Sequence, residues 1–455
     1  MANMRKFSAA FGGGAYGDEG KGRIVDKFAS DFAKKKKVIV YRDNGGANAG
    51  HTVEFENGKR VSLHQLPSGV FVETALAIMG KGMVIHPQDL LEEIKQVKET
   101  AGKSLRGRLL IDEMAVLSLD THRAFEAVLK EWEEGGRGAT GRGISPAYAD
   151  VLLRHPMRMR DLVPFNAEKL KKHYLLYESL IKGLGRKLSA ITVPLLVADS
   201  KKQVGDLSVF MDSMKQYSKE LTPYVQNVFE FLKEKWNDKA YAFIFEKGQG
   251  FGHDPRWGVY PDITASDTTF DGIFSATEGI VDTDDIEIRA AVLKATYMSS
   301  VGVRKLPTGI ENKLAEKIRE DAHEYGATTG RPRGIALLDI PSLRFFSRVG
   351  RANCLALTHM DIVYPNTPIK ICVKYLRRGK EVEYRPDQEY LNTVKPVYIE
   401  MKPWDREVIQ KARSEKELPK EAIKFLKFIS KEIGLPILMI TTGPKRDQGM
   451  LIKGL

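Results

Sequence analysis

Short apolar runs that alternate with amphipathic stretches constrain the fold of this chain more than any other feature. The apolar runs are rich in β-branched residues, which is typical of strands buried on both faces of a sheet. They are KVIVY (37–41), MVI (83–85), RLLI (108–111), AFIFE (242–246), AAVLKATY (290–297), CLALT (354–358) and ILMIT (437–441). Apolar residues at helical spacing occupy 87–100, 208–236 and 419–433. The alternation predicts an α/β fold around a mostly parallel central sheet.

Outside the central sheet and its helices, the sequence predicts a few smaller elements. The segment 364–400, rich in proline, tyrosine and charge, is interpreted as short antiparallel strands near the end of the same domain. The chain has no internal repeat and no low-complexity linker, so residues 1–455 are predicted to form a single domain. In such folds ligands bind in the loops beyond the carboxyl ends of the strands.

The first of these loops, FGGGAYGDEGKGR (11–23), follows the apolar segment KFSAAF. Glycine allows main-chain amides to approach a phosphate, and a following helix offers its N-terminus to the anion. Gly12, Gly14 and Gly17 fit the pattern GxGxxG, and Asp43 lies after the next strand. A nicotinamide-dependent dehydrogenase is therefore one hypothesis.

The same loop contains residues that neither nucleotide motif explains. Gly22 stands where a Walker A motif would have Ser or Thr after Lys21. Asp18 and Glu19 place carboxylates inside a phosphate loop, where they repel the anion unless a metal ion bridges them or one acts as a base. The simpler alternative is that Asp18 is a helix N-cap.

Two further polar loops follow. In YRDNGGANAGHTV (41–53), directly after a strand, His51 is flanked by Gly50 and Thr52, where a ligand can reach it. In GATGRGISPAYAD (138–150), with Arg154 just beyond, glycine, threonine and arginine together form a plausible phosphate cradle. An ordinary flexible loop is the alternative for the second segment.

The second half of the chain contains four more candidate loops. In FEKGQGFGHDPRWGVYPDITASDTT (245–269), Gln249 is a candidate for binding the amide edge of a base, and Thr264 for a phosphate. In YGATTGRPRGI (325–335), two arginines and two threonines favour anion binding. LALTHMD (355–361) and ITTGPKRD (440–447) each end an apolar strand, and an aspartate there can accept both donors of a guanine base.

Charge and composition narrow the classes of partner. The net charge of +12 and a pI near 9.3 suit anionic partners. A nucleic-acid-binding protein without catalytic activity is a second hypothesis, although no zinc-finger, aromatic RNA-binding or basic heptad pattern is present. No apolar run is long enough to span a bilayer, and no secretion signal is found. Cys354 and Cys372 are expected to be buried, reduced thiols in a cytoplasmic protein.

Taken together, the motifs resemble those of the adenylosuccinate synthetase family. GDEGKG, NAGHT, GATGRGI-PAY, the Gly-Gln-Gly loop with YP-ITAS, KATY--SVG---LPT, GATTGRPR and TTGPKR occur in the family's order over roughly residues 6–450. The resemblance implies a single α/β domain with P-loop-like nucleotide-binding loops and a homodimer in which an arginine completes the other subunit's site. It also implies conversion of IMP, L-aspartate and GTP to adenylosuccinate, GDP and phosphate, with magnesium.

The resemblance also implies roles for individual residues. Asp18 matches the catalytic base and His51 the acid, with Lys21 and Gln249 as further catalytic residues, while Asp18 and Gly50 match the magnesium ligands. The other implied positions fall into three binding sets. They are Asn48, Thr140, Arg154, Gln249, Thr264 and Arg331 for the purine nucleotide; Thr328, Thr329, Arg331 and Arg333 for aspartate; and Gly17, Glu19, Gly20, Lys21, Gly22, Thr52, Arg333, Asp361, Thr441 and Gly443 for the nucleoside triphosphate. Arg154 matches the residue that crosses to the partner.

The sequence departs from the family pattern at several positions. His359 replaces the TKxD lysine, Ala15 and Tyr16 replace Gln-Trp, and Asp267 and Ser145 replace Asn and Gly. These changes leave an alternative open, in which the same chemistry acts on GMP or dGMP with ATP or dATP as phosphoryl donor, as in related phage enzymes. In the dGMP group a small residue replaces the catalytic aspartate, so the retained Asp18 favours IMP.

Overall fold

The structure, a computed structural model, describes residues 7–54, 60–102, 104–133, 140–195, 200–300, 304–326, 330, 332–445 and 447–453. For 51–54 and 60 the description is of the main chain. The strands are β1 (Phe7–Gly13), β2 (Lys37–Arg42), β3 (Gly45–Gly46), β4 (His51–Glu54), β5 (Arg60–Leu63), β6 (Leu76–Met79), β7 (Met83–Ile85), β8 (Leu109–Asp112), β9 (Val116–Leu117), β10 (Thr192–Pro194), β11 (Lys201–Gln203), β12 (Val225–Gln226), β13 (Tyr241–Gly250), β14 (Ile288–Lys294), β15 (Tyr297–Ser300), β16 (Gly309–Ile310), β17 (Gly334–Asp339), β18 (Cys354–Thr358), β19 (Ile369–Arg377), β20 (Lys380–Val382), β21 (Lys395–Met401), β22 (Ile437–Thr441) and β23 (Gly449–Leu451).

The helices lie between these strands. They are α1 (Lys21–Ala33), α2 (Pro87–Ala101), α3 (Asp120–Trp132), α4 (Ile144–Leu152), α5 (Met159–Leu162), α6 (Ala167–Gly183), α7 (Leu207–Leu221), α8 (Val228–Lys235), α9 (Asp271–Ala276), α10 (Lys313–Asp321), α11 (Ile340–Val349), α12 (Gln388–Leu391), α13 (Arg406–Lys411) and α14 (Lys420–Ile433). No helix within the described ranges has the length and apolar character to cross a membrane.

The central sheet has the predicted parallel character. Its order through the described residues is β12-β8-β6-β2-β13-β1-β14-β18-β22-β23. Every neighbouring pair is parallel except β22 with β23. The loops that leave β1, β2, β13, β14, β18 and β22 therefore share the carboxyl-terminal edge of one sheet.

Both faces of this sheet are buried, which explains the continuous apolar runs in the sequence. Along β1, Ala9 and Phe11 pack with the apolar face of α1, while Ala10 between them packs into the core on the other side. The same alternation occurs in β13, where Ile244 faces the α1 side and Phe245 the opposite one. A strand covered on both faces has no polar face to expose.

Smaller sheets extend the domain. The predicted antiparallel segment forms β19 with β20 and β21, and β19 also pairs in parallel with β17. The predicted strand 83–85 forms β7, but it lies in a separate sheet with β3 and β9. Two predicted elements are interrupted: 208–236 contains α7, β12 and α8, and 290–297 is divided between β14 and β15. Both cysteines are buried and unpaired with each other.

Candidate active site

The loop between β1 and α1 is held in a tight curl by Glu19. Its Oε1 accepts hydrogen bonds from the main-chain N–H of Gly17 at 2.7 Å and of Ala15 at 3.2 Å. Its Oε2 lies 3.0 Å from Nζ of Lys21, and both charged side chains are buried. Gly20, with φ of 87°, is the N-cap of α1, a left-handed conformation that glycine adopts without strain. Main-chain groups of the curl and the N-terminus of α1 thus meet at one place, as anion binding requires.

Asp18 lies within the curl between Gly17 and Glu19, and it is not the cap of α1, so the N-cap interpretation of this residue is wrong. Its φ is 59°, a region that aspartate tolerates better than most residues. The side chain is 28% exposed, and its Oδ2 lies 2.7 Å from Nη2 of Arg333. The carboxylate thus faces a guanidinium and stays accessible to a ligand, as a base or metal ligand must be.

Arg333 is itself held by a buried acidic residue. Its Nη1 lies 2.8 Å from Oε2 of Glu324, which also pairs with Lys294 and accepts a hydrogen bond from the hydroxyl of Tyr297. Burial opposes ionisation of Glu324, but Lys294 and Arg333 outweigh it and hold the pKa of the carboxyl well below its usual range. Glu324 therefore remains charged and fixes the guanidinium that faces Asp18.

The loops after β2 and β13 are joined by amide side chains. Nε2 of Gln249 donates to Oδ1 of Asn48 at 3.2 Å, while its buried Oε1 has no partner among the described residues. Asn44 accepts from the N–H of Gly248 at 2.8 Å and donates to Oγ of Ser266 at 3.0 Å. These bonds bring two sequence-predicted ligand residues into contact and leave a buried oxygen for a third group.

The main chain of His51 begins β4, which pairs with β5 and packs beside α1. The side chains of His51 and Thr52 lie outside the described part of the structure. The preceding turn is fixed, because Nδ1 of His64 lies 2.7 Å from the main-chain oxygen of Ala49. Gly50 follows directly and precedes β4, the strand that packs beside α1.

The dehydrogenase hypothesis is wrong, for two structural reasons. In a dinucleotide-binding fold the first two strands are neighbours, whereas here β13 lies between β1 and β2. In that fold an acidic residue after the second strand binds the ribose. Asp43, the residue at that place here, is buried and forms an ion pair with Lys247. The carboxylate that the GxGxxG pattern requires is thus part of the core.

The buried Asp43–Lys247 pair leads to a stability prediction. Lys247→Ala leaves the Asp43 carboxylate without its partner, and we expect a loss of about 3–5 kcal/mol in the free energy of unfolding. Lys370→Ala is the control, because Lys370 pairs with Glu400 on the surface with both side chains half-exposed, and it should change stability by less than about 1 kcal/mol. Urea denaturation measures both, and equal losses would show that Asp43 and Lys247 contribute no more than a surface pair.

At the ends of β18 and β22 the structure brings together three more predicted residues. Asp361 is buried, and its Oδ2 accepts a hydrogen bond from Nε2 of Gln410 at 3.1 Å. The main-chain oxygen of Thr441 accepts from the N–H of Met360 at 3.1 Å, which joins the two strand ends. Gly443 follows, and the amide end of the Gln448 side chain packs closely against it.

The other predicted residues divide into three groups. Thr264 is buried near β13, and Thr140 is half-buried in the loop that leads into α4. Arg154 is exposed beyond the end of α4 with φ of 65°, away from the described contacts of the curl. The remaining ones lie outside the described residues: Thr328, Thr329 and Arg331.

The profile of the family described as adenylosuccinate synthetase matches residues 11–450, nearly the whole chain. The chain belongs to the adenylosuccinate synthetase family. It is therefore an enzyme of the ligase class that forms a C–N bond, in purine nucleotide biosynthesis. Family membership removes the support for a non-catalytic nucleic-acid-binding protein, since the basic charge was its only basis.

Several adenylosuccinate synthetases are similar to this chain over nearly its whole length. The adenylosuccinate synthetase of Chlorobaculum parvum is 34% identical over 439 residues, which cover 96% of this chain and 95% of the relative. That of Halothermothrix orenii is 34% identical over 443 residues, with 96% and 97% covered. The fully ligated adenylosuccinate synthetase from Plasmodium falciparum superposes with a TM-score of 0.85 at 30% identity, covering 98% of this chain and all of that one.

A phage enzyme shares the fold at a greater distance. The succinoaminodeoxyadenylate synthetase of cyanophage S-2L, bound to dGMP and dATP, gives a TM-score of 0.59 at 16% identity, with 98% and 95% of the two chains covered. That likeness shows the fold alone, so it does not favour the alternative substrates.

His359 stands directly after β18, where the family pattern has a lysine. Its φ is 58°, its Nδ1 lies 2.9 Å from Oγ1 of Thr358, and its ring meets that of Tyr297 edge-on. Burial, followed by the charge of Lys294, lowers the pKa of His359 to about 4. The ring is therefore neutral at physiological pH, where lysine would be a cation.

Sequence reasoning did not identify Glu324 and Lys294 as parts of the site. Lys294 lies in the motif KATY and Glu324 directly precedes YGATTGRPR, so both flank segments that were already assigned. Lys294 ends β14 and Glu324 follows α10, but an isolated Lys or Glu has no distinctive spacing. Their pairing across 30 residues of chain is a tertiary contact.

Proposed function

We propose that this enzyme converts IMP, L-aspartate and GTP to adenylosuccinate, GDP and phosphate through a 6-phosphoryl-IMP intermediate. The observation that supports it best is the arrangement around Asp18, a part-exposed carboxylate beside a curled phosphate loop and in contact with Arg333. We also propose that residues 1–455 form one catalytic domain.

The chemistry follows from these residue types. The carboxylate of Asp18 removes the N1 proton of IMP, so that O6 becomes nucleophilic and attacks the γ-phosphorus of GTP while the bond to the β-phosphate oxygen breaks. His51, as the acid, stabilises charge that develops between O6 and the phosphates. The amine of aspartate then attacks C6, and phosphate leaves with the former O6.

Magnesium is the proposed cofactor. The carboxylate of Asp18 and the main-chain carbonyl of Gly50 are hard oxygen ligands of the kind that Mg²⁺ combines with waters and phosphates, so the donor set fits. When bound, the ion would neutralise phosphate charge. The chain's own cations in this region are Lys21 and Arg333, each paired with a carboxylate, and we assign both to the same anions.

We assign a separate set of residues to each of the three substrates. Asn48, Gln249, Thr264, Thr140 and Arg331 bind the purine monophosphate, and Thr328, Thr329, Arg331 and Arg333 bind aspartate. Gly17, Glu19, Gly20, Lys21, Gly22, Thr52 and Arg333 bind the phosphates of GTP, and Asp361, Thr441 and Gly443 bind its guanine. The buried carboxylate of Asp361 at the end of β18 supports guanine over adenine, because it accepts the two donors of guanine.

We also propose a cytoplasmic homodimer in which Arg154 enters the partner's nucleotide site. Arg154 follows two leucines that are 84% and 67% exposed, Leu152 and Leu153. Large apolar side chains exposed side by side are typical of a protein interface. Their position next to Arg154 supports a second copy of this chain as the occupant.

The experiment is a matrix of IMP, GMP and dGMP against GTP, ATP and dATP, each with aspartate and Mg²⁺, with products identified by mass. We expect IMP with GTP to give adenylosuccinate at the highest rate. A 2-amino product formed faster from GMP or dGMP would replace our substrate assignment, and the absence of any succinyl-nucleotide would refute the proposed reaction.

A further inference from the structure

His253 lies beside the curl of the candidate site. It ends a short turn, Phe251–His253, directly after β13 and four residues beyond Gln249. Its main-chain oxygen accepts a hydrogen bond from the N–H of Thr264 at 2.7 Å. On the side toward the curl, a Cβ built on Gly17 would lie 3.2 Å from Cε1 and 3.6 Å from Nδ1 of the imidazole. The ring thus faces Gly17, the residue that precedes Asp18.

The imidazole of His253 is buried without partners. It is 7% exposed, and neither Nδ1 nor Nε2 has a hydrogen-bond partner among the described residues. A buried polar atom without a partner costs free energy, so native proteins rarely retain one unless a ligand or water completes it. Two such atoms on one ring, next to a phosphate loop, indicate a ligand.

The surroundings determine the charge of this ring. Tyr16 meets it edge-on, and the guanidinium of Arg304 stacks 4.6 Å from the centroid of the Tyr16 ring. Burial, followed by the charges of Arg304 and Lys21, holds the pKa of His253 well below its usual range. A neutral imidazole carries one N–H donor and one acceptor nitrogen.

A second group of buried histidines offers a contrast. His122, Asp150 and His173 lie close enough together to suggest a metal site. However, Nδ1 of His122 accepts the N–H of Leu119 at 2.8 Å, so its proton is on Nε2, which donates to Asp150 at 3.0 Å. The nitrogen that a metal would need is thus protonated, and the group is a structural network that provides a control residue.

We propose that the imidazole of His253 binds the base of the purine monophosphate and is a specificity-determining residue for that substrate. Phosphate and carboxylate groups are best bound by cations, whereas a neutral ring with one donor and one acceptor suits the uncharged nitrogen and oxygen atoms of a purine. Its place between Gln249 and Asp18, both assigned to the base, supports the same ligand. The inference rests on the proposed function.

The test compares His253→Leu, which removes both polar atoms, with His253→Gln, which keeps a donor and an acceptor. KM is measured separately for IMP, GTP and aspartate, with the other two saturating. We expect His253→Leu to raise KM for IMP about 10-fold, the loss of about one hydrogen bond, and to leave the other two KM values within about 2-fold. His253→Gln should recover part of the loss and supplies the answer if the leucine variant does not fold.

The control is His173→Gln, which alters a buried histidine of the His122–Asp150 network to which no substrate role is assigned, and it should leave all three KM values unchanged. An unchanged KM for IMP in a folded His253 variant, or equal changes in all three KM values, would overturn the role of His253 while the proposed function stands. If the unmodified enzyme forms no succinyl-nucleotide at all, the proposed function fails first, and the assignment of a purine base to His253 fails with it.

Discussion

Asp18→Asn is expected to lower kcat by about 10²–10⁴-fold, the contribution of a positioned general base. The amide has nearly the shape of the carboxylate but neither takes the N1 proton nor supplies a charge for Mg²⁺. Asparagine tolerates the left-handed φ of 59° at this position, so the fold should be retained. Steady-state kinetics with IMP, GTP and aspartate gives kcat, and thermal unfolding by circular dichroism verifies that the variant is folded.

The control for Asp18→Asn is Asp284→Asn. Asp284 also lies 2.7 Å from an arginine, Arg351, but on the surface and away from the curl. It should leave kcat unchanged, which separates loss of the base from loss of an arginine partner. If Asp18→Asn kept more than about one tenth of the kcat, less loss than a general base accounts for, the role of Asp18 would be refuted.

His51→Asn should also lower kcat, by about 10²–10⁴-fold, because the acid that stabilises the developing phosphate charge is removed. The main chain of His51 begins β4, next to α1 and directly after Gly50, so the position belongs to the edge where the phosphates are expected. Because the loss concerns a transition-state interaction, KM for IMP should change much less than kcat.

His323→Asn is the matched control for this variant. His323 is exposed with φ of 53°, so asparagine fits its conformation, and no substrate role is assigned to it. We expect its kcat to equal that of the unmodified enzyme. A His51→Asn variant with normal kcat, or one in which only KM rises, would exclude His51 as the acid.

Much of the fold was predictable because it depends on local pattern. Strands such as 354–358 and 437–441 were predicted with their observed bounds, since a strand buried on both faces leaves an unbroken apolar run. The interruption of 208–236 was not predicted, because Thr222–Tyr224 and the short strand β12 are held by pairing with β8, a contact over more than 100 residues. The helical spacing of apolar residues in 208–236 does not indicate such a long-range contact.

The site was predictable where its residues lie in dense polar loops. The contacts Asp18–Arg333 and Gln249–Asn48 join residues that were predicted from the sequence to belong to the site. Glu324 and His253 were missed for a common reason. A single Glu or His forms no recognisable sequence motif. Its role becomes visible only from its burial and from the presence or absence of hydrogen-bond and ion-pair partners in the structure.

The transfer of the purine 6-oxygen to phosphate tests the central claim most directly. IMP labelled with ¹⁸O at position 6 is converted with GTP, aspartate and Mg²⁺, and the released inorganic phosphate is weighed by mass spectrometry. The account predicts one ¹⁸O atom in each phosphate formed, because O6 attacks the γ-phosphorus and leaves C6 with it. Unlabelled phosphate alongside adenylosuccinate would contradict the 6-phosphoryl intermediate.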